Sequence, residues 1–289
     1  MTVYLNGEYL DRSRALISVD DRGFLFGDGV YEVTRACNGR LFEWERHVRR
    51  LRHGLTGLSL MLPPGIDGAA LNAISERLLR DNGLEAGHAT VYLQITRGVA
   101  ARKHQFPPPG TAPTIFLSAA RLTVPDDVRE AGARTVTTPD LRWSRCDLKT
   151  VNLLPNVLAK QQAVAAGAFE AVMVRDGIVT EGASSNVFAV IGGELRTHPL
   201  TPRILAGITR EVVLELAPEL GFRVVEQPVT AADFVRASEA FVTATTADVM
   251  PVTQIDGRPV GDGRPGRMTR QLAAAFRERL ERVTADAAV

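Results

Sequence analysis

The sequence predicts an α+β fold with two domains. Strand and helix patterns are both present along the 289 residues, but they do not alternate in regular βαβ units. The stretch 121–132 is polar and contains proline, which is typical of a connection between domains. We therefore expect a small domain over residues 1–120, an interdomain link over 121–132 and a larger domain over 133–289.

The small domain is predicted to contain a hairpin, two helices and two longer strands. Asn6-Gly7 is a favoured two-residue turn, and apolar side chains recur at helical spacing after Glu43. The predicted elements are a hairpin at 3–11, a helix beginning near Glu43, a helix at 67–82, and strands at 89–98 and 113–122.

The larger domain is predicted to mix helices with short strands. Asp176-Gly177 indicates a second hairpin turn, and Gly167 is placed to end a helix. The predicted elements are a helix at 153–167, a hairpin at 169–182, two strands within 184–199, a helix at 207–221, one strand at 239–252 and an amphipathic helix at 267–283.

Composition excludes several classes of protein. The net charge of +1 gives no electrostatic footprint for nucleic acid, and no apolar run is long enough to span a membrane. The first residues show no basic segment followed by an apolar run, so we expect no signal peptide. Two cysteines, Cys37 and Cys146, do not make a disulfide framework. We expect a cytoplasmic enzyme with no metal site.

Lys149 is the first candidate for chemistry. Lys103, Lys149 and Lys160 are the only lysines among 34 basic residues, and the other 31 are arginines. A lysine amine condenses with an aldehyde to form a Schiff base, which a guanidinium does not do. The alternative interpretation is a solvated surface lysine, as Lys160 on its helix is expected to be.

Three further motifs each have a plain structural alternative. Glu181 in TEGASSNVF follows a strand, where it is either a partner for a protonated pyridine nitrogen or a turn carboxylate in water. Gly207 in LAGITRE opens a helix, whose N-terminus binds anions unless it is simply capped. Arg50 shares a helix face with His47 and is either a phosphate ligand or a solvated cation.

Taken together, these motifs resemble the class IV pyridoxal-phosphate aminotransferases. The segments HVRRL, DLKTVNLLPNVLAKQQA, TEGASSNVF, LAGITR and FVTATT follow in the family's order and approximate spacing, and the likeness runs from FGDGVYE to QIDGRPV. Within the family, the D-amino-acid aminotransferases are the most similar. The resemblance implies the fold-type IV architecture, with a small N-terminal α+β domain and a larger C-terminal, β-barrel-like α/β domain.

The resemblance also implies roles for individual residues. Pyridoxal 5'-phosphate is expected as cofactor, with Lys149 bound to its aldehyde as a Schiff base and Glu181 facing its ring nitrogen. The expected phosphate ligands are Arg50, Ile208, Thr209 and Thr245, and Leu205 is expected to pack on the ring. Amino transfer is then expected between D-amino acids (D-alanine, D-glutamate) and 2-oxo acids (pyruvate, 2-oxoglutarate) in two stages.

The segment TRGVAARKHQFP, residues 96–107, is expected to select the substrate. Arg102 and His104 are two residues apart, so on an extended segment their side chains point the same way. An exposed basic loop is the alternative interpretation. The pair resembles the carboxylate-binding site of D-amino-acid aminotransferases, which implies that Tyr31 completes it, that Val33 lines the pocket and that the two side chains act from the partner subunit of a homodimer.

Three rival functions stay open at this point. A branched-chain L-amino-acid aminotransferase is disfavoured by the Arg102 and His104 pair and by the short segment before YLNG. An aminodeoxychorismate lyase uses the same cofactor and is disfavoured by the same pair. A non-catalytic binding protein that kept the fold is disfavoured because all the chemical residues are present.

Overall fold

The structure, a computed structural model, describes residues 1–285. The chain divides into two compact units. The first contains Met1–Thr123, Leu148–Asn152 and the described residues from Leu280 onward, and the second contains Val124–Asp147 and Leu153–Arg279. Each unit has its own β-sheet, which confirms the predicted α+β fold class.

The first unit begins with a tight hairpin whose turn residues Asn6 and Gly7 both have positive φ, as the Asn-Gly signal predicts. Its elements are β1 (Thr2–Leu5), β2 (Glu8–Asp11), a 3-10 turn (Arg12–Arg14), α1 (Arg22–Phe26), β3 (Gly29–Cys37), β4 (Arg40–Leu41), α2 (Trp44–Gly57), α3 (Gly68–Asp81), β5 (His88–Thr96) and β6 (Thr114–Arg121).

One antiparallel sheet organises this unit, in the order β2-β1-β6-β5-β3-β4. The apolar stripes of α2 and α3 pack into its core, where Leu51, Leu78 and Val30 are each at most 3% exposed. Asp67 caps α3 by accepting a hydrogen bond from the Ala70 N–H, which is why the helix begins where the sequence predicts.

The segment Leu148–Asn152 belongs to this first unit although it is distant in sequence. The Tyr31 N–H donates to the Lys149 carbonyl at 3.0 Å, and the Val151 N–H donates to the Gly29 carbonyl at 3.1 Å. These bonds fasten the segment to the start of β3. The predicted domain division, with boundaries at 1–120, 121–132 and 133–289, stays a prediction. It assigned Leu148–Asn152 to the larger domain.

The second unit opens with α4, a short helix within the stretch 121–132 that was expected to link the domains. Its elements are α4 (Asp126–Ala131), β7 (Ala133–Pro139), α5 (Leu154–Ala165), β8 (Glu170–Arg175), β9 (Ile178–Gly182), β10 (Asn186–Ile191), β11 (Glu194–Thr197), α6 (Ile208–Glu219), β12 (Val224–Glu226), β13 (Val229–Thr230), α7 (Ala231–Val235), β14 (Glu239–Ala244), β15 (Asp248–Ile255), β16 (Arg258–Pro259) and the start of α8 (Arg267–Ala285).

The sheet of the second unit is mixed. Its order is β12-β11-β10-β14-β15-β7-β8-β9-β13, with β16 paired to β15, and the pairs β11–β12, β15–β7 and β7–β8 are parallel. Stacked rings of Phe188 and Phe241, 4.7 Å apart and both fully buried, join β10 to β14 in its core.

One predicted element is wrong in detail. Residues 239–252 were expected to form a single strand, but β14 ends at Ala244 and β15 begins at Asp248, where a positive φ of 55° reverses the chain. The two strands then pair antiparallel. Among the residues that the structure describes, no helix is both long enough and apolar enough to cross a membrane.

We expect Gly98→Ala to destabilise the fold more than Gly110→Ala. Both glycines have positive φ, 85° and 89°, but a Cβ on Gly98 would lie 1.9 Å from the Ala112 carbonyl oxygen, whereas a Cβ on Gly110 would meet nothing within 4 Å. Left-handed backbone alone costs about 1–2 kcal/mol, and the backbone clash should bring the loss at Gly98 to about 3 kcal/mol or more. Urea denaturation measures the free energy of unfolding of both variants. Equal decreases in the two variants would contradict the proposed backbone clash at Gly98.

Candidate functional site

Lys149 lies beside β3 in the first unit. Its carbonyl accepts the Tyr31 N–H, and its Nζ lies 4.0 Å from the centroid of the Tyr31 ring. The face of an aromatic ring attracts a cation, so this contact orients the amine. The side chain is half-buried. The amine is thus held at a defined place beside β3.

Tyr31 and Val33 share one face of β3, because side chains alternate along a strand. Tyr92 on β5 is opposite Val33 in register, and its ring centroid is 5.8 Å from that of Tyr31. Burial, with a smaller contribution from Tyr31, raises the pKa of Tyr92 to about 12, so its hydroxyl stays protonated and donates to Gln94. The structure therefore brings Lys149, Tyr31 and Val33 together and adds Tyr92 to them.

Arg50 is fixed by a buried carboxylate. Its Nε and Nη2 donate to the two carboxylate oxygens of Glu32 at 2.8 and 2.7 Å, and His47 Nδ1 lies 2.8 Å from Glu32 Oε2. Burial raises the pKa of Glu32, but the Arg50 charge and the hydrogen bonds outweigh it and lower that pKa well below the usual range. Burial also lowers the pKa of His47, so a neutral ring donates from Nδ1 to an ionised Glu32.

Arg102 and His104 lie elsewhere in the first unit, on an exposed loop that we call the Arg102 loop (residues 99–107). The Arg102 guanidinium carbon is 5.3 Å from the centroid of the Phe26 ring, and the His104 ring centroid is 5.8 Å from it. Both side chains therefore rest on one aromatic ring at the end of α1.

Glu181 is buried in the second unit and receives three donors. Its Oε2 accepts the Leu205 N–H at 2.9 Å and the Asn186 amide at 3.0 Å, and its Oε1 accepts from Arg142 Nη1. Burial raises the pKa of Glu181, and the Arg142 charge and the Leu205 N–H offset that rise only in part. A carboxylate has about four acceptor positions, so one remains on Oε1 for a further donor.

Arg142 is itself held by Asp140. The guanidinium donates from Nε to Asp140 Oδ1 at 2.9 Å and from Nη2 to Oδ2 at 2.8 Å, while Arg175 donates to Oδ1 at 3.0 Å. Burial raises the pKa of Asp140, but the Arg142 hydrogen bond and charge, helped by the Thr180 hydroxyl, bring it down to about 2. The guanidinium that faces Glu181 therefore keeps both its charge and its position.

The N-terminus of α6 also lies in the second unit. Gly207 is its N-cap and, being glycine, has no side chain to cap the first turn, in which Ile208 and Thr209 are buried. A Cβ at Gly207 would lie 1.9 Å from Asn186 Oδ1, so the chain needs glycine there. The first N–H groups of a helix have no intrahelical partner and favour an anion.

Two threonines lie close together in sequence at the end of β14. Thr243 is paired with Asn186 in register, which places the two side chains on the same face of the sheet. Among the described residues, Thr243 Oγ1 is buried and makes no hydrogen bond. Thr245 lies just beyond the strand and is half-buried.

The family profile of "Amino-transferase class IV" matches residues 29–255. This match covers most of the chain and includes Lys149, Glu181 and α6. The chain belongs to the class IV aminotransferases. This confirms the family that the sequence motifs indicated.

Among curated members of this family, the D-alanine aminotransferase of Bacillus licheniformis is 41% identical over 290 residues, covering 99% of this chain and 99% of that protein. The D-alanine aminotransferase of Staphylococcus haemolyticus is 42% identical over 279 residues, covering 96% and 98%. The class IV assignment therefore holds over nearly the whole chain.

Solved structures agree on the fold. The branched-chain aminotransferase of the thermophilic archaeon Thermoproteus uzoniensis with norvaline has a TM-score of 0.87 and 27% identity, covering 97% of this chain and 95% of that one. The branched-chain amino acid aminotransferase of Escherichia coli has a TM-score of 0.86 and 26% identity, covering 100% and 97%. These likenesses confirm the predicted fold class of this class IV aminotransferase.

The residues present fit a phosphorylated pyridine cofactor. Glu181 keeps one acceptor position for a ring N–H, and the uncapped start of α6 suits a phosphate. The buried Thr243 hydroxyl, which makes no hydrogen bond among the described residues, is a donor without an acceptor in the protein. A bound phosphate oxygen would supply one.

Sequence reasoning missed the residues that hold the predicted ones in place. Glu32 alternates with Tyr31 and Val33 along β3, so its burial on the other face was open to prediction from strand period. Arg142 carries no such signal, because arginine is abundant in this chain and DLRWSR has no distinctive spacing. Asn186 follows the Ser-Ser turn and is recognisable only from its contacts.

We expect Arg142→Met to destabilise the protein in a pH-dependent way. Without the guanidinium, burial leaves Glu181 with a folded-state pKa far above its unfolded value of about 4.3. The folded variant then binds more protons than the unfolded chain, so its stability falls as pH rises from about 4 through that folded pKa. The free energy of unfolding should drop by about 3–5 kcal/mol at pH 8 and by much less at pH 5.

Arg175→Met is the matched control, because Arg175 also donates to Asp140 but makes no hydrogen bond to Glu181 among the described contacts. Its loss of stability should be smaller and nearly equal at the two pH values. Urea denaturation at pH 5 and pH 8 measures all three proteins. A pH-independent loss in Arg142→Met would contradict the assignment of Arg142 as the residue that offsets the buried charge of Glu181.

Proposed function

We propose that this class IV aminotransferase is a D-amino-acid transaminase that exchanges an amino group between D-amino acids, such as D-alanine and D-glutamate, and 2-oxo acids, such as pyruvate and 2-oxoglutarate. The observation that carries the proposal is the amine of Lys149, held on the Tyr31 ring in a chain that matches D-alanine aminotransferases at 41–42% identity. The cofactor is pyridoxal 5'-phosphate, as expected for the family.

The proposed cofactor ligands are the residues that the family resemblance implies, together with Thr243. Lys149 binds the cofactor aldehyde, Glu181 accepts the ring N–H, and Leu205 packs on the ring. Arg50, Thr245 and the N–H groups of Ile208 and Thr209 bind the phosphate, and Thr243 joins them through its hydroxyl. Once bound, the cofactor supplies an electron sink that stabilises negative charge at the substrate Cα.

Lys149 moves the proton in this proposal. With the cofactor bound, Lys149 Nζ would take up the substrate Cα proton as general base and give a proton back as general acid. The Tyr31 ring keeps the amine close to β3 during both steps. Glu181, held by Arg142 and Asn186, offers an acceptor oxygen where the ring N–H is expected, and a hydrogen bond to that N–H favours the protonated ring nitrogen.

Arg102 and His104 are proposed to bind the substrate carboxylate, together with Tyr31, while Val33 limits the side-chain pocket. Both loop residues are exposed in the single chain, which supports the proposal that they act in the site of a second copy. The functional unit is then a homodimer. We also propose a cytoplasmic location, which the free cysteines Cys37 and Cys146 support.

The second candidate function is a branched-chain L-amino-acid aminotransferase. Solved structures of that class share the fold at 26–29% identity, below the 41–42% of the D-alanine aminotransferases. An aminodeoxychorismate lyase is a weaker candidate, since no observed feature favours it.

The half-reaction of cofactor-loaded protein tests the proposed function. D-Alanine should remove the visible absorption of the bound cofactor within one turnover, and L-leucine should not. Bleaching with L-leucine alone would move the assignment to the branched-chain class. No bleaching with either amino acid, under conditions where the cofactor is bound, would overturn the aminotransferase proposal for both substrates.

Lys149→Arg should lower the rate of amino transfer by about 1000-fold or more, the order of loss seen when a catalytic nucleophile is removed. The reason is that a guanidinium forms no Schiff base and is a poor base near neutral pH. Lys160→Arg is the matched control and should keep full activity. Circular dichroism checks that both variants fold. Near-normal transfer by Lys149→Arg would refute the role of Lys149.

Exchange of subunits between two variants tests whether Arg102 acts in the site of the partner subunit. At a D-alanine concentration that half-saturates the wild type, Lys149→Arg has no activity and Arg102→Met has little, because it lacks a ligand for the substrate carboxylate. A mixed dimer has one site with Lys149 from one chain and Arg102 from the other. Random exchange of subunits should restore about a quarter of wild-type activity. Absence of any recovery in exchanged dimers would contradict the assignment of Arg102 to the partner's site.

A further inference from the structure

Arg22 binds the backbone of the Arg102 loop. This arginine opens α1 and is only 3% exposed. Its Nη1 donates to the carbonyls of Lys103 at 2.7 Å and Gln105 at 3.4 Å, and its Nη2 donates to the carbonyl of His104 at 3.5 Å. One guanidinium therefore contacts three successive carbonyls, in the stretch that directly follows Arg102.

Arg22 is fixed in turn by Asp28. The Arg22 Nε donates to Asp28 Oδ2 at 2.8 Å, and Arg97 donates to both oxygens of the same carboxylate at 2.8 and 3.0 Å. Burial raises the pKa of Asp28, but the hydrogen bonds from Arg97 and Arg22 outweigh it and lower that pKa. Asp28 is thus ionised at neutral pH, and the fork of Arg22 donors is held in one orientation.

The backbone around Arg22 also pairs with the base of the loop. The Arg22 N–H donates to the Gly98 carbonyl at 2.9 Å, and the Ala100 N–H donates to the Asp20 carbonyl at 3.2 Å. The side chain and the main chain of Arg22 therefore hold two successive parts of the same loop. The loop is restrained even though its own side chains are exposed.

Phe26, one turn along α1, supports the loop side chains. Its ring centroid lies 4.8 Å from the Arg22 guanidinium carbon, 5.3 Å from that of Arg102 and 5.8 Å from the His104 ring centroid. Arginine prefers the face of an aromatic ring, so these contacts favour one orientation of Arg102.

We propose that Arg22 is a positioning residue for the substrate carboxylate: it holds the Arg102 loop in its binding shape before the amino acid arrives, with Phe26 as the surface on which Arg102 and His104 rest. The inference rests on the proposed function, in which those two side chains bind the carboxylate. A loop that is already ordered loses less conformational freedom when the substrate binds. Arg22 therefore acts on substrate affinity and leaves the proton transfer at Lys149 unchanged.

Single-turnover half-reactions with D-alanine test the proposal. Arg22→Met should raise the half-saturating concentration of D-alanine by on the order of 10–100-fold, with the limiting rate changed by less than about threefold. Arg22→Lys should recover part of the loss, because an ammonium group reaches a carbonyl but lacks the fork. Arg121→Met is the matched control, since Arg121 donates to the carbonyls of Gly83 and Ala86 and should change neither quantity.

Two further readouts separate positioning from a general loss of structure. Hydrogen exchange of residues 99–107 in the protein without substrate should speed up in Arg22→Met, while that of β5 stays unchanged. In an Arg102→Met background, Arg22→Met should add less than about a threefold effect, because the two residues act through one contact. If Arg22→Met fails to fold, Phe26→Leu replaces it, with a smaller rise in the half-saturating concentration.

The outcomes are distinct from those of the proposed function. Unchanged exchange of the loop in Arg22→Met, or an undiminished effect in the Arg102→Met background, would overturn the role of Arg22. A wild-type protein that does not react with D-alanine would overturn the proposed function instead. Hydrogen exchange would then still report whether Arg22 orders the loop.

Discussion

The first unit depends on the buried carboxylate of Glu32. Its two oxygens bind Arg50 in a bidentate pair and also accept from His47, so α2 is joined to β3 at one point. Taking a carboxylate out of water is costly unless a cation and hydrogen bonds compensate, and here both are present. The same strand turns Tyr31 to the opposite face and binds the backbone of Lys149. The place of the amine thus follows from the pairing that fixes β3 against α2.

The second unit contains the converse arrangement. In the first unit a carboxylate holds the guanidinium that is expected to act on a phosphate. In the second, the guanidinium of Arg142 contacts the carboxylate of Glu181 that is expected to act on a ring nitrogen. Arg50 and Glu181 are thus both ionisable groups buried next to a fixed group of opposite charge. A preoriented charge of this kind needs no rearrangement when its target binds, which is the usual basis of electrostatic preorganisation.

Local signals account for the parts of the fold that the sequence predicted. Asn6-Gly7 and Asp176-Gly177 both adopt positive φ at hairpin turns, and the apolar spacing of α2 and α3 matches their buried faces. The turn between β14 and β15 was missed because threonines favour strands and no Gly or Pro marks the reversal. The five-residue α1 was missed because its Gly-rich surroundings resemble a loop.

The residues of the candidate site also fall into those that the sequence predicted and those that it missed. Residues with distinctive chemistry, such as Lys149 and Glu181, were predicted from their motifs and from a family resemblance. Their supports were not, because the contacts of Glu32, Arg142 and Arg22 join segments far apart in sequence. Spacing carries no information on such contacts. The attachment of Leu148–Asn152 to β3 belongs to this class, and it decides where the amine lies.

Arginine and lysine have separate roles in this protein. The buried cations Arg22, Arg97 and Arg142 each use several N–H groups at once, on carboxylates and on backbone carbonyls. A guanidinium suits that role because its donors are rigid and its charge is permanent. Neither property helps in the role proposed for position 149, which requires reaction with an aldehyde and exchange of a proton near neutral pH. In a chain with 31 arginines and three lysines, that proposed role accounts for an amine at this position. Within each unit, arginines supply fixed charges that hold a carboxylate or a loop in place.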